Sequence, residues 1–214
     1  MFETYHARLN AALIQLQSLP LTWFALQRAV GESIPELEAL IGAALLREEG
    51  IHDFQLPPLM RDLGLHVGHI LIGWHHPPLA GRLVEGCAHI HRLAELYAPF
   101  DAQWEDDSPQ PLDLRQNYTP FDWMHHDYHV LCKWSNSAQA PELYYFTAES
   151  GQRYRLGLNI EQYLDALIET RGIFRWQELF IRDERFQPDI GFLNRLRAQI
   201  AALFPDADIT RFEP

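Results

Sequence analysis

Tyr128, Val130, Cys132 and Trp134 alternate with His129, Leu131 and Lys133, and that period of two predicts a strand with two distinct faces. The segment "PELYYFTAESGQRYRLGL" continues the theme. It reads as two strands, near 142–147 and 153–158, joined by a turn at Ser150-Gly151. Upstream, "HILIGW" (69–74) is a short apolar run stopped by Pro77 and Pro78, and "RLVEGCAHIH" suits a further strand. The chain on either side of this block has another period. Tyr5, Leu9, Ala12 and Leu16, with Phe2 before them, recur at three and four, the spacing of a helix with one apolar face.

The other helices follow from the same rule. A short helix is expected after Thr22, through Trp23, Phe24, Leu26 and Val30. "SIPELEALIGAALLREEG" opens with Ser33 three residues before Glu36, a capping-box pattern, and Gly50 suits its end. Its expected inner stripe is Leu37, Leu40, Ile41, Ala44 and Leu45. "HRLAELYAPF" suits a short helix. Asn159, with Gln162 three residues on, caps a helix carrying Ile160, Tyr163, Leu164, Leu167 and Ile168. A last helix is expected from Pro188 to Phe204, with Ile190, Leu193, Leu196, Ile200 and Leu203 inward. Helices first, strands in the middle and helices last predict an α+β fold with a mainly antiparallel central sheet flanked by N-terminal and C-terminal helices. The expectation for residues 1–214 is a single domain: a helical part over 1–50, a sheet-forming part over 66–158 and closing helices over 159–204.

The charge narrows the functional classes. Seventeen basic side chains against twenty-nine acidic ones leave −12, which argues against direct nucleic-acid binding, since that requires cations to displace counterions. Half of that charge falls in residues 101–127, where seven acids face Arg115 alone. Glu105, Asp106, Asp107, Asp113, Asp122 and Asp127 are the candidate docking residues for a basic protein partner; the same run also reads as a solvated loop. Cys87 and Cys132 do not form a CxxC pair, no cationic segment precedes an apolar run at the N-terminus, and no stretch approaches a membrane span. A reduced, cytoplasmic compartment and no membrane partner are expected.

His125, His126 and His129 raise the question of a metal. On a helix, His125 and His129 would share a face; if Tyr128 begins a strand, the set breaks up. His89 and His91 have the His-x-His spacing of two strand ligands, without a third. There is no HExxH, no GxSxG and no phosphate-binding glycine motif. The residues therefore favour no catalytic set, no cofactor and no metal. A metal-dependent hydrolase built on the three histidines with a carboxylate such as Asp127 is the alternative.

"LNIEQYLDALIETRGIFRWQELF" (158–180) resembles the closing segment of the SUKH superfamily, the group of Smi/Knr-like cell-wall synthesis regulators and bacterial toxin-immunity proteins, with Tyr163 and Leu164 in the matching places. "IPELEALIGAALLREEG" is similar to that family's early helix through Pro35, Leu37 and Gly50, and "CAHIHRLAELYAPF" to a later element. The chain departs from the family pattern where "CKWSNSAQAPELYYF" replaces a Gly-Asp step before the central hairpin. The resemblance implies an α+β binding fold without catalytic residues: an immunity protein that neutralises a toxin, such as a basic nuclease, or a regulator of a partner protein.

Overall fold

The computed structural model describes residues 4–29, 31–49, 55–97, 118–125, 127–134 and 140–210. Among them six α-helices and seven strands form an α+β fold: α1 Tyr5–Ser18, β1 Trp23–Ala29, α2 Ile34–Glu49, α3 Pro58–His66, β2 His69–Leu79, β3 Arg82–Ile90, α4 Leu93–Leu96, β4 Tyr118–His125, β5 Tyr128–Lys133, β6 Glu142–Thr147, β7 Gln152–Arg155, α5 Ile160–Thr170 and α6 Ile190–Leu203. A 3₁₀ turn, Trp176–Phe180, lies between α5 and α6. Every strand pairs antiparallel with the next, so the spatial order is the chain order, β1 to β7.

Alternation along the strands decides which side of the sheet faces the helices. Ile70, Ile72 and Trp74 of β2, Val84, Ala88 and Ile90 of β3, Val130 and Cys132 of β5 and Leu143 and Tyr145 of β6 all enter one apolar core with residues of the helices. From α1 that core takes Tyr5, Leu9, Ala12, Leu13 and Leu16; from α5 it takes Ile160, Tyr163, Leu164, Leu167 and Ile168; from α6 it takes Leu193, Leu196 and Ile200. The apolar spacing predicts these helix positions except Leu13. It misplaces two: Leu40 is 62% exposed and Ile190 61% exposed. The side chains of Ala44 and Leu45, and all of Phe2 and Gly50, lie outside the described residues.

Helix α5 begins where the sequence places it. Asn159 Oδ1 accepts from the Gln162 N–H (2.9 Å) and Gln162 Oε1 accepts from the Asn159 N–H (3.0 Å), the reciprocal pair of a capping box. Such a cap contributes about 1 kcal/mol. The segment after Thr22 is a strand, β1, where a short helix was expected. Its seven residues pair without interruption against β2, from Trp23 opposite His75 to Ala29 opposite His69. That ladder, together with the β preference of Trp23 and Phe24, outweighs a weak local helical pattern. Strand β2 also runs through Pro77 and Pro78, tolerated there by a register shift between His76 and Leu79.

Two irregularities position the site. A register shift between Pro120 and Asp122 in β4 breaks the alternation, and consecutive Phe121 and Asp122 both turn inward. Strands β3 and β4 pair at a single position, Ile90 opposite Asp122. Beyond it the strands part, and residues 172–174 fill the gap. Cys87 N–H donates to Gly172 O (2.8 Å), Phe174 N–H donates to Glu85 O (2.9 Å), and Gly86 bridges Ile173. Gly86 is required here because the Trp74 indole lies against it: a Cβ would come within 2.3 Å of the ring.

Candidate functional site

The strand residues that do not face the helices make the second side of the sheet: His69, Leu71, Gly73 and His75 on β2, and Glu85, Cys87 and His89 on β3. Register places Leu71 beside His89, Gly73 beside Cys87 and His75 beside Glu85. Where β3 and β4 part, this side sinks into a groove of about 400 Å³, with Trp23, Leu71, His75, Cys87, Trp123, His125 and Phe174 among its walls. The Trp23 ring lies over Gly73, at which a Cβ would approach the indole to 2.6 Å, so the glycine lets a tryptophan lie flat on the sheet. Trp23 is 49% exposed and its ring sits 5.1 Å from that of His75.

The groove is mostly apolar with a few polar groups. His75 Nε2 is 3.5 Å from Glu85 Oε2. Cys87 donates its S–H to Met124 O (2.9 Å). Burial, helped by the negative charges of Asp122 and Glu85, pushes the Cys87 thiol up to about 12, so it is a protonated wall group and not a thiolate nucleophile. An aromatic side chain bearing a polar tip matches such walls, with ring contacts on Trp23, Trp123 and Phe174 and a hydrogen bond at His75 or Glu85.

Beside the groove runs a row of rings. His69 and His89 meet edge to face with Nε2 atoms 3.1 Å apart, one imidazole donating and the other accepting. His89 stacks on His91 at 4.5 Å, His91 leads to Trp123 at 6.3 Å, and Trp123 lies 4.3 Å from His129, which stacks on Phe146 at 5.9 Å. Burial is the main cause that lowers His89 to about 4, with His91 and His69 beside it adding to the effect, and burial also lowers His69. His91 Nδ1 stands 3.0 Å from Glu95 Oε2, and the bond from His91 is the main cause that lowers Glu95 to about 2.

The residues singled out in the sequence are scattered by this fold. Tyr128 does begin a strand, so His125 and His129 fall on the two arms of a hairpin. His125, half exposed, faces Tyr128 and Phe174 and sits 3.4 Å from Asp127 across the turn. His129 is buried between Trp123 and Phe146. Among the described residues no group of three His, Cys, Asp or Glu side chains is placed to hold a metal ion.

The acidic run fares differently. Asp127 is exposed at the hairpin turn. Asp122 is fully buried and faces α5, which removes it from any docking surface; the β4 bulge turns it inward. His126, Glu105, Asp106, Asp107 and Asp113 lie outside the described residues.

The row of rings was not foreseen. His89/His91 spacing was visible, but the meeting of His69 with His89 depends on β2–β3 register, which single-sequence spacing does not reveal. Comparison with protein-family models, with curated proteins and with solved structures finds no match.

Proposed function

We propose that this chain is a protein-binding domain that acts stoichiometrically and not by turnover, with the groove on the side of the sheet opposite the helical core as its contact site. The observation that carries the reading is the groove itself. It brings Trp23, Trp123 and Phe174 around a space of about 400 Å³ at the split between β3 and β4. Aromatic walls of this kind anchor protein interfaces, because large rigid side chains bury area at little entropic cost.

The helix-flanked antiparallel sheet is of the class that the SUKH resemblance implies. We therefore read the partner as a toxin that this chain neutralises, with a regulated cellular protein as the alternative within the same class. The net charge of −12 favours a basic partner such as a nuclease. Both cysteines are free thiols, which suits a reducing compartment such as the cytoplasm. No helix among the described residues is long and apolar enough to cross a membrane.

Co-expression with a toxin encoded beside the gene tests the reading. The wild-type chain is expected to restore growth and to co-purify with the toxin at fixed stoichiometry. Trp123→Ala is expected to lose both while keeping the wild-type circular dichroism spectrum. Full protection by the folded Trp123→Ala chain would move the contact site out of the groove. Protection with no complex at equimolar concentrations would overturn binding as the mechanism.

A further inference from the structure

The two edges of the sheet are finished differently. Along β7, the Arg182 N–H donates to Arg155 O (3.0 Å), Arg155 N–H donates to Asp183 Oδ2 (3.3 Å) and Arg185 Nη2 donates to Arg153 O (2.9 Å). Leu156 and Ile181 add an isolated antiparallel bridge. Residues 181–185 thus occupy that edge. Along β1, the only backbone partner among the described residues is β2.

Open edges of natural sheets are usually blunted by proline, lysine, a bulge or an exposed charge. The sequence of β1, "WFALQRA", holds no proline or lysine, and its seven-residue register is unbroken. Its one charge is turned away from the edge. Arg28 donates to Asn10 Oδ1 (2.6 Å) and lies 2.7 Å from His6 Nδ1, both on α1. Its exposed residues are Trp23 at 49%, Leu26 at 41%, Gln27 and Ala29, none of them charged. Ile14, at 67%, follows Asn10 by four residues and so continues the α1 stripe that faces Arg28.

We propose that β1 is a dimerisation edge, on which β1 of a second copy adds antiparallel about a two-fold axis at Leu26. This register alone pairs all seven residues. It sets Leu26 against Leu26 of the partner subunit, Phe24 against Arg28 of the partner subunit and Trp23 against Ala29 of the partner subunit. No like charges oppose, and both exposed leucines are covered. Because the β7 edge is already occupied, the assembly closes at two copies instead of growing into a fibre. The test residue is separate from the groove: Leu26 is on the helix side of the sheet, opposite Ile72, whereas Trp23 and Trp123 line the groove on the other side.

Sedimentation velocity on the full chain at tens of micromolar is expected to give twice the chain mass. Leu26→Lys places two ammonium groups face to face at the axis. It should raise the dissociation constant at least about tenfold without shifting the monomer's far-ultraviolet spectrum. Register is read by cysteine cross-linking. Leu26→Cys should form a disulfide dimer under mild oxidation, whereas Ala29→Cys, whose symmetry mate stands roughly 20 Å away along the strands, should not. A wild-type monomer at these concentrations would overturn the proposal, as would a dimer indifferent to Leu26→Lys. Equal cross-linking of the two cysteine variants would overturn the register.

Discussion

Tyr163 donates its O–H to Asp122 Oδ2 at 2.6 Å, and so ties α5 to the one position at which β3 and β4 pair. The second carboxylate oxygen accepts the His89 N–H at 2.7 Å. Gln177 Nε2 in turn donates to Tyr163 Oη at 2.9 Å. Two hydrogen bonds favour the carboxylate, yet full burial outweighs them and raises Asp122 to about 6.

The folded chain therefore holds this proton more tightly than the unfolded chain, in which Asp titrates near 3.8. A raised acid contributes stability that is fully present below the unfolded value and is lost as pH rises through the folded value. Asp122→Asn removes this dependence. Urea unfolding of wild type and variant at pH 7 and at pH 4.5 should show the difference between them moving by about 2 kcal/mol in favour of wild type at the lower pH. A pH-independent difference would show that Asp122 is ionised throughout.

Leu164 tests the packing of α5 on the sheet. It is fully buried, as are its neighbours Tyr163 and Leu167. Leu164→Ala removes apolar contacts and leaves a cavity, so it should cost roughly 2–5 kcal/mol in chemical denaturation. A loss under about half a kilocalorie per mole, as at an exposed site, would contradict the assigned face.

The parts of the fold that were legible in the sequence are those whose signal is local. β-branched and aromatic residues in period-two runs mark β5 and β6, and the Asn159–Gln162 cap marks α5 because its hydrogen bonds join residues three apart. Strand β1 was not legible, since its stability comes from β2, whose partner residues lie at least forty positions away in sequence. Helix α3 offered only Pro57-Pro58 at its start, and its Met60 and Leu63 are too few to announce an apolar stripe. The groove was the least legible feature. Trp23, Cys87, Trp123 and Phe174 come from four segments, and the split between β3 and β4 that joins them depends on residues 172–174 entering from beyond the sheet.

Charge steering gives a test that does not depend on the groove. Glu105, Asp106, Asp107 and Asp113 belong to the most acidic run of the chain. Replacing the four with their amides removes a third of the net charge of −12. If the partner is basic, its association rate at low salt should fall by about tenfold and lose much of its salt dependence, while the dissociation rate changes little. Stopped-flow association at two salt concentrations measures both. An unchanged association rate would assign these acids to solvation alone.

His89 lies next to Asp122 in the structure and responds to pH with the opposite sign. Burial is the main cause that lowers its imidazole from 6.5 to about 4, and the charges of His91 and His69 add to it. A lowered base contributes stability that is present above the unfolded value and is lost as pH falls through the folded value. Between about pH 6.5 and 4, then, His89 weakens the fold while Asp122 strengthens it, and the two partly cancel in the wild-type stability curve. His89→Gln keeps the backbone N–H that serves Asp122 and removes the titrating ring. Its stability relative to wild type should rise as pH falls from 7 to 4.5, the reverse of the Asp122→Asn result. Heteronuclear NMR of the imidazole groups adds a direct reading: the His89 ring should stay neutral at pH 5.5. A His89 midpoint near 6.5, or a His89→Gln chain that loses ground at low pH, would show that the ring is solvated and that the His69–His89 contact does not hold it neutral.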